Sequence, residues 1–302
     1  MLLDLVKKFV KRVEKDKLPL IGVILRNKDE VIFKHKFVET DTRNIFSHSK
    51  SFTSILVGYA VMEGYITIDT TVGEVFGDLL DGTEDPKVKD IKLRHFLTMS
   101  SGFNKSYLMN SVGPQEEDSG YPDPLLFMLH RKVEIEPGSK FTYSNGDTYM
   151  ALRMIEKRIG KPIQQYFYEK IFKPLNMGNP IVQCDPCGRV FGASGMVLSL
   201  ENQSKIAKIL LDPPNHEYFK QMKSVQIKTG GDELGDCYGF QFWITSKYNT
   251  YRADGLFGQV TMIFENEGLA ISYQCLDGTD QGLVLKVFEE EILKPYKENM
   301  QK

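Results

Sequence analysis

The first segment of the chain has the hydrophobic period of a helix. Between Met1 and Lys17, apolar residues recur every three or four positions, and charged residues fill most of the positions between them. Asp4 and Lys7 interrupt the apolar run, whereas a secretory signal has an unbroken one. The segment predicts an amphipathic surface helix of the fold, and a helix lying on a membrane surface is the alternative.

Two short runs rich in β-branched residues follow this helix. Residues 20–25 and 31–37 are mainly apolar, and the polar sequence Asn27-Lys28-Asp29-Glu30 lies between them. Apolar runs of this length around a polar turn are typical of two strands joined as a hairpin.

The middle of the chain returns to the helical period. Gly64 ends the first of these patterns, and Gly160 with Pro162 ends a later one, as expected at the C-termini of helices. The predicted helices cover residues 49–63, 91–99, 124–131, 148–159 and 163–172.

After Tyr238 the pattern becomes that of strands again. The last two of these strands are joined across Asn266-Glu267-Gly268, a turn sequence, and residues 283–293 then resume the helical period. The predicted strands cover residues 240–245, 260–264 and 269–275.

Sheet-forming segments at both ends therefore bracket a mainly helical middle. This order predicts an α/β (α+β) fold in which an antiparallel sheet is flanked by the N- and C-terminal helices and carries an inserted helical lobe. Residues 1–40 and 237–302 would form the discontinuous sheet lobe, and residues 41–236 the helical lobe. The active site is expected at the seam between them.

Composition narrows the function classes. Of the 302 residues 41% are hydrophobic, so the chain can bury a large core. The 38 basic and 40 acidic residues are mixed along the chain, which argues against a nucleic-acid partner because such binding needs a basic surface. No stretch is apolar over the length that spans a bilayer, so we expect a cytoplasmic protein with no membrane partner. The sequence does not indicate an oligomeric state.

The cysteines indicate no metal or redox site. Cys184 and Cys187 form a Cys-x-x-Cys pair, but Cys237 and Cys275 do not form the second pair that a structural zinc site normally has. The Asp-Pro dipeptide inside the pair indicates a turn rather than the strand-to-helix junction of a redox pair. We expect reduced thiols and no metal or organic cofactor, with zinc and redox chemistry as the alternatives.

A serine and a lysine one helical turn apart are the first candidate for chemistry. The chain has no Gly-x-Ser-x-Gly sequence, so a Ser-His-Asp triad is disfavoured. Ser47 and Lys50 lie where a predicted helix begins, on one face and in the positive field of the helix N-terminus. A lysine with a lowered pKa helps to remove the serine proton. Chance alone supplies about one Ser-x-x-Lys in such a chain, so context must support the motif.

Other segments supply that context. Tyr143-Ser144-Asn145, preceded by Pro137-Gly138, resembles a segment of the serine β-lactamase and penicillin-binding protein superfamily, in particular its class C and esterase branch. Residues 47–53 resemble the family's nucleophile segment, residues 93–102 the helix and turn after it, and residues 192–211 a later Gly-rich turn and helix. The resemblance covers nearly the whole chain and implies a β-lactamase/transpeptidase-like fold.

The resemblance implies a role for each matching residue. Ser47 would attack the substrate carbonyl and become acylated. Lys50 would keep the hydrogen-bonded groups around Ser47 ready to transfer protons. Tyr143 would act as general base or proton shuttle, and Asn145 would hydrogen-bond both substrate and lysine. Which group first takes the serine proton stays open. The alternative for Tyr143 and Asn145 is a purely structural one, in which they belong to a turn and the Tyr143 ring is only packed against its neighbours.

The third element of the family, usually Lys-Thr-Gly on a strand, is where this chain departs. Residues 228–230 read Lys-Thr-Gly, but a polar, turn-rich stretch follows them, and we expect a surface turn there. Ala253, Asp254 and Gly255 resemble the Ala-x-Gly…Gly-Gln version of relatives that hydrolyse nylon oligomers and esters. We therefore place the third substrate-binding element at residues 253–255.

This placement implies an oxyanion hole and a substrate class. The backbone N–H groups of Ser47 and Leu256 would form the oxyanion hole. Ala253 offers no charge to a substrate carboxylate, and strand alternation would point the neighbouring Arg252 to the opposite face. We predict a serine hydrolase that cleaves a small ester or amide.

Two alternatives stay open. One is a β-lactamase or D-amino-acid peptidase, and the other is a non-catalytic family member that binds a ligand. Substrate identity depends on the polar loops 104–122 and 212–236, whose composition does not reveal their shape.

Overall fold

Ten strands in two sheets organise the part of the chain that the computed structural model describes, which is residues 1–40, 42–109 and 122–301. The strands are β1 (Leu20–Arg26), β2 (Val31–Lys36), β3 (Arg43–Asn44), β4 (Val197–Leu198), β5 (Ile227–Lys228), β6 (Cys237–Tyr238), β7 (Trp243–Thr245), β8 (Thr250–Gly255), β9 (Gln259–Phe264) and β10 (Leu269–Cys275).

The large sheet joins the two ends of the chain. Its eight strands run in the order β2-β1-β10-β9-β8-β7-β6-β5, and each neighbouring pair is antiparallel. The N-terminal hairpin pairs through β1 with the C-terminal strand β10, in a register that sets Val23 opposite Tyr273. The predicted α/β fold with an antiparallel sheet is confirmed. The small sheet pairs β3 with β4 next to Ser47.

Helices cover both faces of the large sheet. The α-helices are α1 (Leu2–Asp16), α2 (Ser49–Met62), α3 (Val72–Phe76), α4 (Leu93–Leu97), α5 (Pro124–Leu129), α6 (Asn145–Ile159), α7 (Ile163–Phe167), α8 (Leu200–Ser204), α9 (Ile206–Leu211), α10 (Glu217–Met222), α11 (Gln281–Phe288) and α12 (Lys294–Met300). Shorter 3-10 turns cover Phe46–His48, Gly77–Leu79, Pro86–Asp90, Ser246–Tyr248 and Glu265–Glu267, and π-type turns cover Tyr168–Phe172 and Glu289–Leu293.

The two terminal helices α1 and α11 cover one face of the sheet. The apolar stripe of α1 is buried against β1, β9 and β10, as its amphipathic pattern predicts. Phe9 lies at the centre of this layer, with its ring centroid 6.2 Å from that of Tyr273 and 5.4 Å from that of Phe288. This layer therefore ties both ends of the chain to the sheet.

The opposite face packs on the helical middle of the chain. Helix α2 is buried on nearly all sides, because it contacts α6 and α10 as well as β8. Phe52 on α2 belongs to the same apolar cluster as Tyr251, Ala253 and Ile263 on the sheet. The helix that begins next to Ser47 is thus fixed at the centre of this core.

Some element boundaries differ from the sequence prediction for physical reasons. The predicted strand 240–245 is shorter, since Gln241 has a left-handed φ of 63° and the N–H of Phe240 bonds the carbonyl of Met222. Helix α6 starts at Asn145 rather than at residue 148. The sheet also includes β5, which lies before the expected boundary at residue 237, and the division into two lobes stays a prediction.

No helix among the described residues combines the length and the hydrophobicity that crossing a membrane requires.

Phe9→Ala tests whether the terminal layer stabilises the whole fold. Because Phe9 is fully buried against two rings, we expect the variant to lose about 3–5 kcal/mol of unfolding free energy. Urea unfolding followed by circular dichroism measures this loss, with Lys8→Ala on the exposed side of the same helix as the control. Equal stability of the two variants would show that α1 is not part of the cooperative core.

Candidate active site

Ser47 lies in a constrained turn between β3 and α2. Phe46, the residue before it, has a left-handed φ of 47°, a conformation that is uncommon for a residue with a side chain. The turn is held by the Phe46 N–H, which donates to Asn44 Oδ1 at 2.7 Å, and by the Ile45 N–H, which donates to the Met196 carbonyl at 2.9 Å. These contacts keep the Ser47 hydroxyl at the surface of the turn.

Gly255 at the end of β8 allows the sheet to approach this turn. A Cβ atom at Gly255 would lie 2.2 Å from the Ile45 carbonyl oxygen and 3.1 Å from the His48 nitrogen, so only glycine fits. The next residue, Leu256, lies outside the strand, and its N–H has no hydrogen-bond partner among the described residues. The N–H of Ser47 is in the first turn of a helical segment, where such groups lack intrahelical partners. Two backbone donors therefore flank Ser47.

Lys50 is buried beneath Ser47 and meets three hydrogen-bond acceptors. Its side chain is 1% exposed. Its Nζ atom is 3.1 Å from Ser47 Oγ, 2.5 Å from Asn145 Oδ1 and 2.7 Å from the Ala193 carbonyl oxygen. The three acceptors match the three protons of an ammonium group, so the side chain is fully satisfied without a carboxylate partner.

Burial lowers the pKa of Lys50 to about 7, because desolvation disfavours its charged form. The amine is therefore partly neutral near pH 7. In the neutral form the Asn145 and Ala193 oxygens can only accept, so they retain the two remaining N–H groups. The nitrogen lone pair is then left to face Ser47 Oγ.

Asn145 is fixed in the orientation that this arrangement needs. Its Nδ2 donates to the Leu108 carbonyl at 2.9 Å, which assigns the opposite atom, Oδ1, as the acceptor from Lys50. Asn145 is the first residue of α6, so its backbone is held by the helix.

Tyr143 is held beside Ser47 and Lys50 by its neighbours. Its ring centroid is 5.0 Å from Lys50 Nζ and 5.7 Å from the Trp243 ring, which stacks at an angle of 22°. Burial raises the pKa of Tyr143 above its ordinary value and the charge of Asp254 raises it further, while the Ser47 hydroxyl opposes the shift. The phenol is therefore neutral at physiological pH and can donate a proton.

A cavity of about 530 Å³ opens in front of Ser47. Its lining includes Ser47, Tyr143, Asn145, Asp254, Gly255 and Leu256, all of which the sequence analysis singles out. Lys50 lies behind this wall and reaches Ser47 from inside the protein.

The two faces of β8 are placed differently from the expectation. Ala253 is fully buried in the core around Phe52, so it does not line the cavity as a substrate-binding residue would. Strand alternation holds, but the cavity opens on the face that Arg252 and Asp254 share. Arg252 Nε donates to Asp254 Oδ2 at 2.8 Å, and the side chains are only 6% and 12% exposed.

Other residues of the site carry no clear signal in the sequence. Trp243 and Ser194 line the cavity, and the carbonyl of Ala193 binds Lys50. The Gly-rich turn from Gly192 was recognisable as a segment, but a backbone acceptor has no side chain to reveal it. Trp243 is the single tryptophan of the chain and lies on β7. In the sequence, only its aromatic side chain could have indicated a place in the site.

The Lys-Thr-Gly sequence at residues 228–230 and two histidines lie apart from this cluster. Lys228 is exposed, and neither it nor Gly230, which has a φ of 75°, lines the cavity. His48 is buried and its Nε2 lies 3.0 Å from Thr261 Oγ1, while burial lowers its pKa to about 3. His95 Nδ1 accepts a hydrogen bond from the Lys92 N–H at 3.2 Å, so this imidazole is engaged at the start of α4.

Neither a metal cluster nor a disulfide was expected at the cysteines. Within residues 1–40, 42–109 and 122–301, no group of three or more His, Cys, Asp or Glu side chains is arranged to hold a metal ion. Cys184 and Cys187 are free thiols. Residues 110–121 of the expected specificity loop lie outside the described residues, as do Asp41 and Lys302.

Solved structures share this fold over nearly the whole chain. A putative β-lactamase from Bacteroides dorei has a TM-score of 0.74 and 17% identity, covering 97% of this chain and 99% of its own. A putative 6-aminohexanoate-dimer hydrolase from Bacillus anthracis has a TM-score of 0.76 and 15% identity, covering 96% and 82%. At these identities the likeness concerns the fold alone.

Curated proteins match over shorter segments. A probable fimbrial assembly protein, FimD of serogroup H1, from Dichelobacter nodosus is 27% identical over 118 residues, which are 39% of this chain and 29% of that protein. The chain thus spans less than a third of the length of this relative.

The family model described as "Beta-lactamase" matches residues 5–277, a segment that contains Ser47, Lys50, Tyr143 and Asn145 as well as β8. Because this match spans most of the 302 residues, the chain belongs to the β-lactamase family.

Proposed function

We propose that the protein is a serine hydrolase that cleaves a small ester or amide through an acyl-enzyme on Ser47. The observation that carries this proposal is the buried Lys50 amine, which lies 3.1 Å from Ser47 Oγ and has a pKa lowered to about 7. A purely structural lysine gains nothing from an environment that destabilises its charge, whereas a general base works best with a pKa near the operating pH.

Acylation begins when Ser47 Oγ attacks the substrate carbonyl carbon. Lys50 Nζ takes the hydroxyl proton as the new C–O bond forms, and the carbonyl π electrons move to the oxygen. The N–H groups of Ser47 and Leu256 stabilise this oxyanion, since their positions are fixed by the turn and by β8.

Collapse of the tetrahedral intermediate releases the alcohol or amine. The neutral Tyr143 phenol lies beside Ser47 and donates a proton to the leaving group, and the proton held by Lys50 restores the neutral state of the site. Water then attacks the Ser47 ester, with the same groups moving the proton in the reverse sense. No cofactor takes part in this scheme.

The cavity favours esters and amides over carboxylate-bearing lactams. Arg252 is the single cation among the described lining residues, and its guanidinium is engaged by Asp254, the Leu234 carbonyl and Thr245 Oγ1. Nη2 has no hydrogen-bond partner among the described residues, so the preference against a substrate carboxylate rests on the neutralising charge of Asp254.

A β-lactamase or D-amino-acid peptidase and a non-catalytic binding protein are the other candidates. Each makes a distinct prediction for the reaction of Ser47, and so both are outcomes of the first experiment below. We further propose that the protein acts in the cytoplasm on small molecules.

Ser47→Ala should abolish hydrolysis of p-nitrophenyl butyrate. Loss of the nucleophile is expected to lower kcat/KM by roughly a thousandfold or more. Release of p-nitrophenol and labelling by a fluorophosphonate probe measure the effect, with Ser224→Ala as the control because Ser224 is exposed, lies outside the cavity and donates through its hydroxyl to the Gln221 carbonyl. Fast nitrocefin turnover by the native protein would identify a β-lactamase instead. A folded native protein that neither labels nor turns over would support the non-catalytic candidate.

The pH dependence of kcat/KM should report Lys50. Because only the neutral amine accepts the Ser47 proton, activity on a neutral ester should rise with pH and level off above the Lys50 pKa of about 7. Lys50→Arg, which stays charged, should remove this rising limb and lower kcat by roughly 10²–10⁴-fold. Lys140→Arg, a change at an exposed position, serves as the control. A native profile that is flat between about pH 6 and 8 would exclude Lys50 as the base.

A further inference from the structure

We propose that the acyl chain of the substrate extends into a second part of the cavity and carries there a neutral hydrogen-bond acceptor, such as a ketone or amide carbonyl, that binds the Tyr273 hydroxyl. This inference rests on the proposed serine hydrolase function, because it concerns the acyl group that Ser47 would carry. It adds the length and polarity of that group, which the catalytic residues alone do not define. We call this part of the cavity the distal arm, and its lining residues are Leu256, Gly258, Val260, Tyr273, Gly282 and Leu285.

The Tyr273 hydroxyl lacks a partner inside the protein. Its side chain is fully buried, and the hydroxyl forms no hydrogen bond with any described residue. Buried tyrosine hydroxyls usually have a partner, since an unpaired polar group in the interior costs free energy. Because Tyr273 also lines the cavity, a bound molecule can supply the missing partner.

The hydroxyl end of the Tyr273 ring lies beside the cavity wall. A Cβ atom at Gly258, which lines the cavity, would lie 3.7 Å from Tyr273 Cε2, the ring carbon next to the one that carries the hydroxyl. The same Cβ atom would lie 2.9 Å from Cys275 Sγ, and Gly258 has a φ of 89°, so glycine is required here. The missing side chain at Gly258 leaves the approach to the hydroxyl open.

The register of the sheet places Tyr273 at the end of a row that starts near the nucleophile. Asp254 on β8 is opposite Val260 on β9, which is opposite Tyr273 on β10. Directly opposite residues point to the same face of a sheet, and neighbouring strands are about 4.8 Å apart, so the row spans about 10 Å. Val260 and Tyr273 share a hydrophobic cluster with α11, and Leu285 of that helix lines the cavity. The distal arm is therefore bounded by the sheet and α11.

The order of the strands indicates which side of the substrate enters the distal arm. Strands β7 and β10 lie on opposite sides of β8. Tyr143, the proposed proton donor to the leaving group, stacks on Trp243 of β7. The leaving group is therefore expected on the β7 side, and the acyl chain on the other side of the carbonyl extends toward Tyr273.

The charges of the distal arm favour a neutral occupant. At its entrance the Arg252–Asp254 pair has an unpartnered donor, Nη2, and an unpartnered acceptor, Oδ1, among the described residues, so the pair favours neither sign of charge. The Asp280 carboxylate already accepts from the N–H groups of Gly282 and Leu283 at the start of α11. The lining residues of the distal arm itself carry no charge.

The phenol is a donor that needs an acceptor. Burial raises the pKa of Tyr273 well above its ordinary value, so the hydroxyl keeps its proton at physiological pH. Leu256, Val260 and Leu285 provide apolar surface for the methylene groups that lead to it. An aliphatic acyl chain with one carbonyl near its far end therefore satisfies both parts of the distal arm.

Two p-nitrophenyl esters of equal chain length test the role of the hydroxyl. The 7-oxooctanoate ester has a ketone where the octanoate ester has a methylene group. The ratio of kcat/KM for the oxo ester to that for the plain ester should fall about three- to tenfold from the native protein to Tyr273→Phe, after subtraction of the rate with Ser47→Ala. Tyr168→Phe, the same change at an exposed tyrosine outside the cavity, should leave the ratio unchanged.

An equal ratio in the native protein and Tyr273→Phe would overturn the proposal, and it is the result expected if water alone satisfies the hydroxyl. Thermal unfolding provides a second check. Because phenylalanine removes only an unpaired hydroxyl, Tyr273→Phe should unfold at the same temperature as the native protein or a higher one. A lower midpoint would show that the hydroxyl has a structural partner and would contradict the proposal.

A larger side chain in the distal arm tests whether the acyl chain reaches it. Leu285→Phe narrows the distal arm, so the ratio of kcat/KM for p-nitrophenyl octanoate to that for p-nitrophenyl acetate should fall by about tenfold or more. Leu283→Phe makes the same change at an exposed position of α11 outside the cavity and should leave this ratio unchanged. An unchanged ratio in Leu285→Phe would refute binding of the acyl chain in the distal arm.

Binding separates failure of this inference from failure of the proposed function. Trp243 is the single tryptophan and lines the cavity, so its fluorescence reports ligands directly. If no ester is hydrolysed in a Ser47-dependent way, the hydrolase proposal fails. The ligands 2-octanone and 2-methyl-1-octene differ only in a carbonyl oxygen that a methylene group replaces. A lower relative affinity for the ketone in Tyr273→Phe than in the native protein would still support the acceptor site, and equal relative affinities would refute it.

Discussion

The structure of this site depends on the burial of one lysine. An ammonium group without a carboxylate partner is costly inside a protein, and the fold offsets that cost with three oxygen acceptors around Lys50 Nζ. The acceptors come from Ser47, Asn145 and Ala193, which are distant in sequence. The turn, the start of α6 and the Gly-rich segment therefore meet around this one atom. The same burial lowers the pKa of Lys50 and gives the amine its proposed chemical use.

A second constraint joins this cluster to the sheet. The missing side chain of Gly255 lets β8 lie against the carbonyl of Ile45, and the left-handed Phe46 then presents Ser47 beside Leu256. Helix α2 begins at this point and is buried among α6, α10 and the sheet. The rigid core thus fixes Ser47 and the backbone donors, and the preorganisation that the proposed acyl transfer requires follows from packing.

Electrostatics and aromatic packing shape the rest of the cavity. Trp243 stacks on the Tyr143 ring, and Arg252 lies against Trp243 while it pairs with Asp254. The cation that lines the wall is therefore paired with Asp254 through Nε, while its Nη2 has no partner among the described residues. Function in such a scaffold depends on these local groups, since the fold is shared with proteins described as a putative β-lactamase and as a putative 6-aminohexanoate-dimer hydrolase.

Local sequence patterns determined several helices and strands of this protein and part of its candidate active site. The period of α1, the hairpin of β1 and β2, and the one-turn spacing of Ser47 and Lys50 depend on neighbours in sequence, so they were predictable. Tertiary structure alone decided that Ala193 supplies a carbonyl to Lys50, because a backbone acceptor has no residue identity. It also decided that β8 turns Arg252 and Asp254, rather than Ala253, toward the cavity. Alternation along a strand defines two faces, but which face meets the cavity depends on the layers packed against the sheet.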